Sequence, residues 1–294
     1  MKCTLCPRCC GADREKGQRG FCGAGSEVRI ARAALHFWEE PCISGTEGSG
    51  TVFFSHCTMQ CVFCQNREIS AGGKGFVVTE SELAEKFLEL QRQGANNINL
   101  VTPTHYVPQI IRALILAKDQ GLHLPVVYNT GGYERVETLR MLEGIVDVYM
   151  PDLKYYSDRY AVQYSAAPDY FKITAAAIRE MYRQVGAVQL DERGMMKRGV
   201  LVRHLMLPGL LFDTKKIIDY LEAEYGDRIY ISLMNQYTPM PAVRNVPALN
   251  RRLGERYYET MLQYCMDKGM ENVFIQEGET AKESFIPAFF GDVK

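Results

Sequence analysis

Nine of the ten Cys residues of this chain lie within its first 64 positions. A disulfide scaffold would hold together a small secreted domain, whereas here the cysteines crowd one end of a 294-residue chain. The first 15 residues contain four Cys and no apolar stretch that would direct secretion. We therefore expect a cytoplasmic protein whose crowded cysteines bind a metal ion or an iron–sulfur cluster.

The overall composition excludes several classes of protein. Lys and Arg total 34 and Asp and Glu total 35, so the formal net charge is −1. No excess of positive charge is available to neutralise nucleic-acid phosphates. The apolar fraction of 47% is too high for a disordered chain. No run of 18 apolar residues occurs, so we expect no membrane span. From the charge balance, we also expect no nucleic-acid partner.

From residue 51 onward, short apolar runs rich in β-branched residues alternate with amphipathic helical patterns. Such near-continuous apolar runs are typical of parallel strands buried on both faces. The predicted strands cover residues 51–55, 97–101, 125–129, 146–150, 200–205, 229–234 and 272–276. Repeated βα units with right-handed crossovers predict an α/β fold, a partial or open TIM-like (β/α)6 barrel.

The chain divides into two predicted parts. Residues 1–46 are rich in Cys, Gly, Arg and Glu, and their apolar content is too small to form a stable core alone. We predict a small Cys-rich metal-binding module there, joined through the Gly-rich residues 45–50. Residues 47–294 then form the partial barrel with a C-terminal helix and tail.

A three-cysteine loop follows the first predicted barrel strand. Cys57, Cys61 and Cys64 have the spacing C-x3-C-x2-C, so three thiolates can surround one compact object. A structural zinc ion requires a fourth ligand, for which the neighbouring His56 is awkwardly placed. The alternative is an iron–sulfur cluster in which one iron lacks a protein ligand. The carboxyl ends of barrel strands are where cofactors and substrates bind.

The three-cysteine loop, including Phe63 before the third Cys, resembles the cluster loop of the radical S-adenosylmethionine (SAM) superfamily. The resemblance covers nearly the whole chain and is strongest to the pyruvate formate-lyase activating enzyme-like branch, in particular a group with a Cys-rich N-terminus. It implies a radical SAM barrel with a [4Fe–4S] cluster whose open iron is chelated by SAM. The other matching segments are residues 3–8, 39–45, 97–106, 151–154 and 203–209.

Six polar residues at the ends of other strands are candidates to bind SAM: His105, Asn129, Asp152, Lys154, Arg203 and Gln236. Asp152 and Lys154 are two positions apart on an extended segment, so they share a face. They resemble the Asp-x-Lys motif of the glycyl-radical activases, although a solvated ion pair is the alternative. Arg203 resembles a SAM-contacting arginine of the activases, and its guanidinium suits a carboxylate.

The other three candidates are less specific. His105 lies where many radical SAM enzymes have a Gly-Gly-Glu motif, which this chain lacks, and a loop cap is an equal alternative for it. Asn129 belongs to a turn similar to one in the activases, and its amide can both donate and accept. Gln236 stands where activases often have His, and this departure weakens any transfer of substrate identity.

The N-terminal cysteines form a second candidate site. Cys3, Cys6, Cys10 and Cys22 provide four thiols, a set that suits either zinc or an auxiliary iron–sulfur cluster. Cys9 is an alternative ligand to Cys10. Cys42 stands apart as a further ligand or a reactive thiol.

The resemblance implies an oxidoreductase reaction. A low-potential donor, flavodoxin or ferredoxin, reduces the cluster bound by the catalytic Cys57, Cys61 and Cys64. SAM is then cleaved to methionine and a 5′-deoxyadenosyl radical, which takes hydrogen from a substrate. Three hypotheses remain: an enzyme acting on a protein or peptide, as the glycyl-radical activases do; an enzyme acting on a small molecule; and an iron–sulfur or zinc redox protein without turnover.

Overall fold

The computed structural model describes residues 2–276, which contain ten strands. The predicted strands from residue 51 onward all form, each within two residues of its expected bounds except the strand expected at 200–205, which begins four residues before its predicted start. The strands are β1 (Val28–His36), β2 (Ser49–Phe54), β3 (Phe76–Val78), β4 (Ile98–Val101), β5 (Val126–Thr130), β6 (Val148–Pro151), β7 (Gln189–Leu190), β8 (Met196–Leu205), β9 (Tyr230–Met234) and β10 (Val273–Ile275).

Within the same residues there are nine α-helices, most of which lie between parallel strands. The predicted capping box is present, since the Thr79 hydroxyl accepts from the Glu82 backbone N–H and the Glu82 carboxylate accepts from that of Thr79. The helices are α1 (Pro41–Ser44), α2 (Arg67–Ser70), α3 (Glu80–Arg92), α4 (Val107–Asp119), α5 (Val136–Arg140), α6 (Asp158–Ser165), α7 (Tyr170–Val185), α8 (Leu211–Tyr225) and α9 (Glu255–Asp267).

Seven parallel strands form the centre of the sheet in the order β2-β4-β5-β6-β8-β9-β10. Six of them are followed by helices, and β10 adds a seventh strand beyond the sixth βα unit. The sheet order ends at β10 on one side and at β3 on the other, so the barrel is open. The predicted partial TIM-like barrel is therefore confirmed.

Two antiparallel strands that the sequence did not predict extend the sheet beyond β2. Strand β1 pairs with β2, with His36 opposite Ser49, and β3 pairs with the start of β1. The predicted boundary between residues 46 and 47 thus falls between two strands of one continuous sheet. The division into two domains stays a prediction about folding units.

The connector of residues 37–48, between β1 and β2, enters the interior of the barrel. Ile43 is fully buried and belongs to one apolar cluster with Val127, Val148 and Leu201. The strand neighbours of these residues belong instead to the larger core under the helices. Because successive strand residues face opposite sides, this cluster is the inner face of the sheet. The Asn97 side chain donates to the Ile43 carbonyl over 2.8 Å and fixes the connector there.

Among residues 2–276, no helix combines the length and apolar character that a membrane crossing needs.

Candidate metal and cofactor site

The three-cysteine loop begins directly after β2, where the chain turns into the barrel mouth. His56 has a φ of 76°, and its backbone N–H donates to the Ile69 carbonyl over 2.8 Å, which closes the loop at its base. The far side of the loop is tied to the end of α6, since the Val62 N–H donates to the Tyr164 carbonyl over 2.8 Å. The cysteine-bearing segment is thus closed at its base and tied to α6 on its far side.

Cys57, Cys61 and Cys64 line one cavity of about 270 Å³. The same cavity is lined by residues at or just after the carboxyl ends of the parallel strands, as the barrel architecture predicts. These residues include Thr102, Thr130, Gly131, Asp152, Lys154, Leu205 and Gln236.

Each of the three sulfurs lies near a polar hydrogen. The Met59 backbone N–H donates to the Cys57 Sγ over 3.4 Å. The Ser165 hydroxyl donates to the Cys61 Sγ over 3.0 Å, and the Ser70 hydroxyl lies 3.3 Å from the Cys64 Sγ. Such contacts suit thiolates that are bound to a metal, because hydrogen bonds to ligand sulfurs support the charge on them.

Burial raises the pKa of the Cys57 thiol far above its usual range and that of Cys61 to about 11. Thiolates at these positions therefore need a nearby cation, and a bound metal deprotonates its thiol ligands. In the described part of the chain, no three His, Cys, Asp or Glu side chains are arranged to hold a single metal ion. An iron–sulfur cube is larger than one ion, and three free thiols on one cavity wall fit it.

A buried guanidinium organises the polar side of the cavity. Arg203 Nε donates to Asp152 Oδ1 over 3.0 Å, Nη1 to Glu39 Oε2 over 3.1 Å and Nη2 to Asn129 Oδ1 over 2.6 Å. Asp152 also forms an ion pair with Lys154. The structure thus brings four of the six predicted SAM-binding residues, Asn129, Asp152, Lys154 and Arg203, into one hydrogen-bonded group.

The two carboxylates of this group respond differently to their surroundings. Burial opposes ionisation of Asp152, but the adjacent Lys154 and Arg203 charges outweigh it and hold the Asp152 pKa below its usual value. Burial dominates at Glu39, so its pKa is raised despite the Arg203 charge. Of the two carboxylates that contact Arg203, Asp152 is therefore the more readily ionised.

Sequence reasoning missed Glu39 as a residue of this site. It lies in the connector, 164 positions before Arg203, and its second oxygen accepts from the Asn99 and Asn129 side chains over 3.2 and 3.4 Å. Two consecutive acidic residues, Glu39 and Glu40, before a Pro were the available signal. Nothing in their pattern showed that the connector enters the barrel.

The remaining two predicted SAM contacts have different positions. Gln236 lines the cavity, and its side-chain oxygen accepts from the Gln276 amide over 3.3 Å. His105 does not line it, because its buried ring bonds to the Ser55 carbonyl over 2.8 Å and burial lowers its pKa to about 3. His105 is thus a neutral core residue here. His204 faces the helices as expected, bonded to Leu153 and Thr214.

The model of the radical SAM superfamily matches residues 51–221, which is more than half of the chain. The chain belongs to the radical SAM superfamily. An uncharacterized protein of Methanocaldococcus jannaschii is 28% identical over 282 residues, covering 92% of this chain and 76% of that protein.

Two solved structures share the radical SAM fold at low identity. Streptococcus suis SuiB, bound to its precursor peptide SuiA, matches 75% of this chain with 12% identity and a TM-score of 0.50. HydG, a maturase of the [FeFe]-hydrogenase, matches 78% with 15% identity and a TM-score of 0.53. This chain spans 46% and 51% of their lengths. Superfamily membership supports a radical SAM enzyme and implies a [4Fe–4S] cluster and SAM.

The N-terminal cysteines of this radical SAM protein lie beside its cluster loop. Cys3, Cys6 and Cys22 are buried, and Cys10 is exposed. Burial, together with the neighbouring Cys22 and Cys3 sulfurs, raises the Cys6 pKa to about 12. The segment that carries these thiols is attached to the barrel, since Arg8 Nε donates to the Thr58 carbonyl over 3.1 Å.

Cys9 and Cys42 differ from the four predicted N-terminal ligands. Cys9 is exposed, and its thiol lies 3.5 Å from the Cys6 carbonyl. Cys42 lies inside the barrel beside Ile43, where burial raises its pKa to about 12. Its neutral, enclosed thiol fits neither a reactive role nor a place among the N-terminal ligands.

A further buried carboxyl, that of Glu134, supports the loops that border the cavity. Glu134 is 1% exposed, and it accepts from the Thr104 hydroxyl over 2.5 Å and from that of Thr130. It therefore links the loop after β4 to the end of β5. Burial raises the pKa of Glu134 from 4.5 to about 7.

This raised pKa predicts a pH-dependent contribution to stability. Between pH 4.5 and about 7, Glu134 is ionised in the unfolded chain but protonated in the folded one. The free energy of unfolding should therefore fall as pH rises through this window, by roughly 3 kcal/mol from this group. Urea unfolding of the cofactor-free protein across the window should show a smaller fall in Glu134→Gln than in the wild type. Glu137→Gln, which changes an exposed carboxyl on the same segment, should retain the wild-type slope, and an equal slope in both variants would contradict the assignment.

Proposed function

We propose that this protein is a radical SAM enzyme that acts on a protein or peptide, in the manner of the glycyl-radical activases. The observation that carries the proposal is one cavity lined by three free thiols on one side and by the Arg203 group on the other. Sulfur ligands and a carboxylate-binding cation at one cavity suit a cluster and the amino-acid end of SAM.

The chain's own residues have distinct tasks in this proposal. Cys57, Cys61 and Cys64 hold the cluster. Arg203 uses three of its five N–H groups within the protein, which leaves two for the SAM carboxylate. Lys154, 15% exposed and paired with Asp152, adds a second positive charge. When bound, the cluster supplies the electron that cleaves SAM into methionine and a 5′-deoxyadenosyl radical.

The open side of the barrel supports a large substrate. Trp38 lines the cavity and is nevertheless 62% exposed, so the cavity reaches the surface beside the connector. A segment of another chain would need such an opening to reach the cavity. The Asp152-Leu153-Lys154 sequence, similar to the activase motif, supports the same substrate class. We further propose a flavodoxin or ferredoxin as the electron donor and a cytoplasmic location.

Replacing the three loop cysteines tests the site and the chemistry together. The triple variant Cys57→Ala, Cys61→Ala, Cys64→Ala should form 5′-deoxyadenosine from SAM and dithionite only at the background rate, because no thiolates remain to hold the cluster. Chromatographic assay of anaerobic protein measures the product. Cys265→Ala, which changes a buried thiol on α9, should retain the wild-type rate. Formation of 5′-deoxyadenosine by the triple variant would refute the site. If the wild type forms no 5′-deoxyadenosine, the result favours a redox protein without turnover.

Transfer of deuterium distinguishes the substrate classes. A deuterated extract of the organism that encodes the protein is separated by size into macromolecules and small molecules, and each fraction is incubated with enzyme, SAM and reductant. We expect mass spectrometry to find deuterium in 5′-deoxyadenosine with the macromolecular fraction. Deuterium that comes only from the small-molecule fraction would instead identify a small-molecule substrate.

The N-terminal cysteines are proposed to hold a second metal, zinc or an auxiliary iron–sulfur cluster, independently of the barrel site. Zinc would require these thiols to move closer together, since no described side chains are arranged around a single ion. A variant with Cys3, Cys6 and Cys10 replaced by Ala should therefore keep the iron of the barrel cluster. Iron, sulfide and zinc analysis of anaerobic protein measures this and identifies the second metal from what is lost. A fall of the iron content to zero would show that the two sites are not independent.

A further inference from the structure

A chain of two buried hydroxyls ends at one of the three loop sulfurs. The Ser165 Oγ lies 3.0 Å from the Cys61 Sγ, and the Tyr155 hydroxyl lies 2.7 Å from the Ser165 Oγ. Both Tyr155 and Ser165 are fully buried. The distance from Ser165 Oγ to Cys61 Sγ is shorter than the hydrogen-bond distances to the Cys57 and Cys64 sulfurs, which are 3.4 and 3.3 Å.

The direction of both hydrogen bonds follows from counting protons. A cysteine thiolate bound to iron has no proton and can only accept. Ser165 has a single hydroxyl hydrogen, so donation to Cys61 uses it. The Ser165 oxygen must then accept from Tyr155. The chain of donors therefore runs from Tyr155 through Ser165 to Cys61.

Local structure fixes the positions of these donors. Ser165 is the last residue of α6, and its carbonyl accepts from the Gln60 N–H of the cysteine loop over 3.3 Å. The Tyr155 ring meets the Tyr170 ring edge-on, with 5.4 Å between their centroids. The cysteine loop and its donors are thus joined by a hydrogen bond and by packing, and the Ser165 hydroxyl is enclosed away from solvent.

We propose that Tyr155 and Ser165 raise the reduction potential of the cluster through the Cys61 sulfur, a role that rests on the proposed function. Reduction adds negative charge to the cluster, and a donor aimed at a ligand sulfur stabilises the more negative state. The buried surroundings strengthen this effect, and a donor that itself accepts a hydrogen bond is polarised further. Ser165 acts on the sulfur directly, whereas Tyr155 is a positioning residue that acts through Ser165.

Redox titration of anaerobically prepared protein without SAM, followed by electron paramagnetic resonance, tests the proposal. Ser165→Ala should shift the midpoint potential of the barrel cluster to a more negative value. Tyr155→Phe should shift it in the same direction by a smaller amount, since Ser165 remains. The double variant should match Ser165→Ala alone, because Tyr155 has no effect without the hydroxyl that it orients.

Two variants with matched chemistry serve as controls. Ser49→Ala removes a buried hydroxyl whose partner is Asn97, and Tyr149→Phe removes a buried phenol whose partner is Gln184. Neither touches a loop cysteine, so both should keep the wild-type potential. An unchanged or more positive potential in Ser165→Ala overturns the proposal.

Iron analysis separates this proposal from the proposed function. Wild-type protein that binds no iron at the three-cysteine loop overturns both. A cluster that is present but has the same potential in wild type, Ser165→Ala and Tyr155→Phe overturns the hydroxyl chain alone. Should Ser165→Ala fail to retain its cluster, Tyr155→Phe decides the question, since it leaves the Cys61 contact in place.

Discussion

The buried guanidinium of Arg203 joins the parts of the molecule that form the cavity. It connects β8 to Asp152 at the end of β6, to Asn129 in β5 and to Glu39 in the connector. A buried cation is stable only when its partners are well placed. The three strands and the connector are therefore held in the arrangement that gives the guanidinium its three partners. In this arrangement two N–H groups of Arg203 are left for a ligand in the cavity.

The parallel sheet explains why distant residues meet at one cavity. In a parallel barrel all strands point the same way, so their carboxyl ends surround one mouth. The three-cysteine loop follows β2, and Asp152 with Lys154 follows β6. Tyr155 continues the same segment, so one short stretch after β6 contributes to the polar group and to the hydroxyls behind Cys61.

Much of this could be predicted from the sequence, because the relevant signals are local. Apolar runs identified the parallel strands, and the close spacing of Cys57, Cys61 and Cys64 identified the loop. The same-face spacing of Asp152 and Lys154, with the resemblance of Arg203, indicated the polar group. Those residues lie within a parallel strand or directly after one, so the strands fix where their side chains point.

Features that depend on long-range packing could not be predicted. Glu39 enters the site only because the connector passes inside the barrel, and no local pattern encodes that path. The position of His105 after β4 follows from the sequence, but the direction of its ring depends on its hydrogen bond to the carbonyl of Ser55, the residue that follows β2. Strand β1 could not be predicted, because most of its residues are only partly buried and its sequence mixes polar and apolar residues as the segments around it do.

The path of the connector has a consequence for how the chain assembles. Ile43 fills the interior beside residues of β5, β6 and β8, which are synthesised long after it. The packing of Ile43 is therefore complete only once β5, β6 and β8 are in place. A polypeptide that begins at residue 47 would lack both the Ile43 side chain, which leaves a cavity in the inner apolar cluster, and the Glu39 carboxylate, which leaves Arg203 with one fewer buried partner.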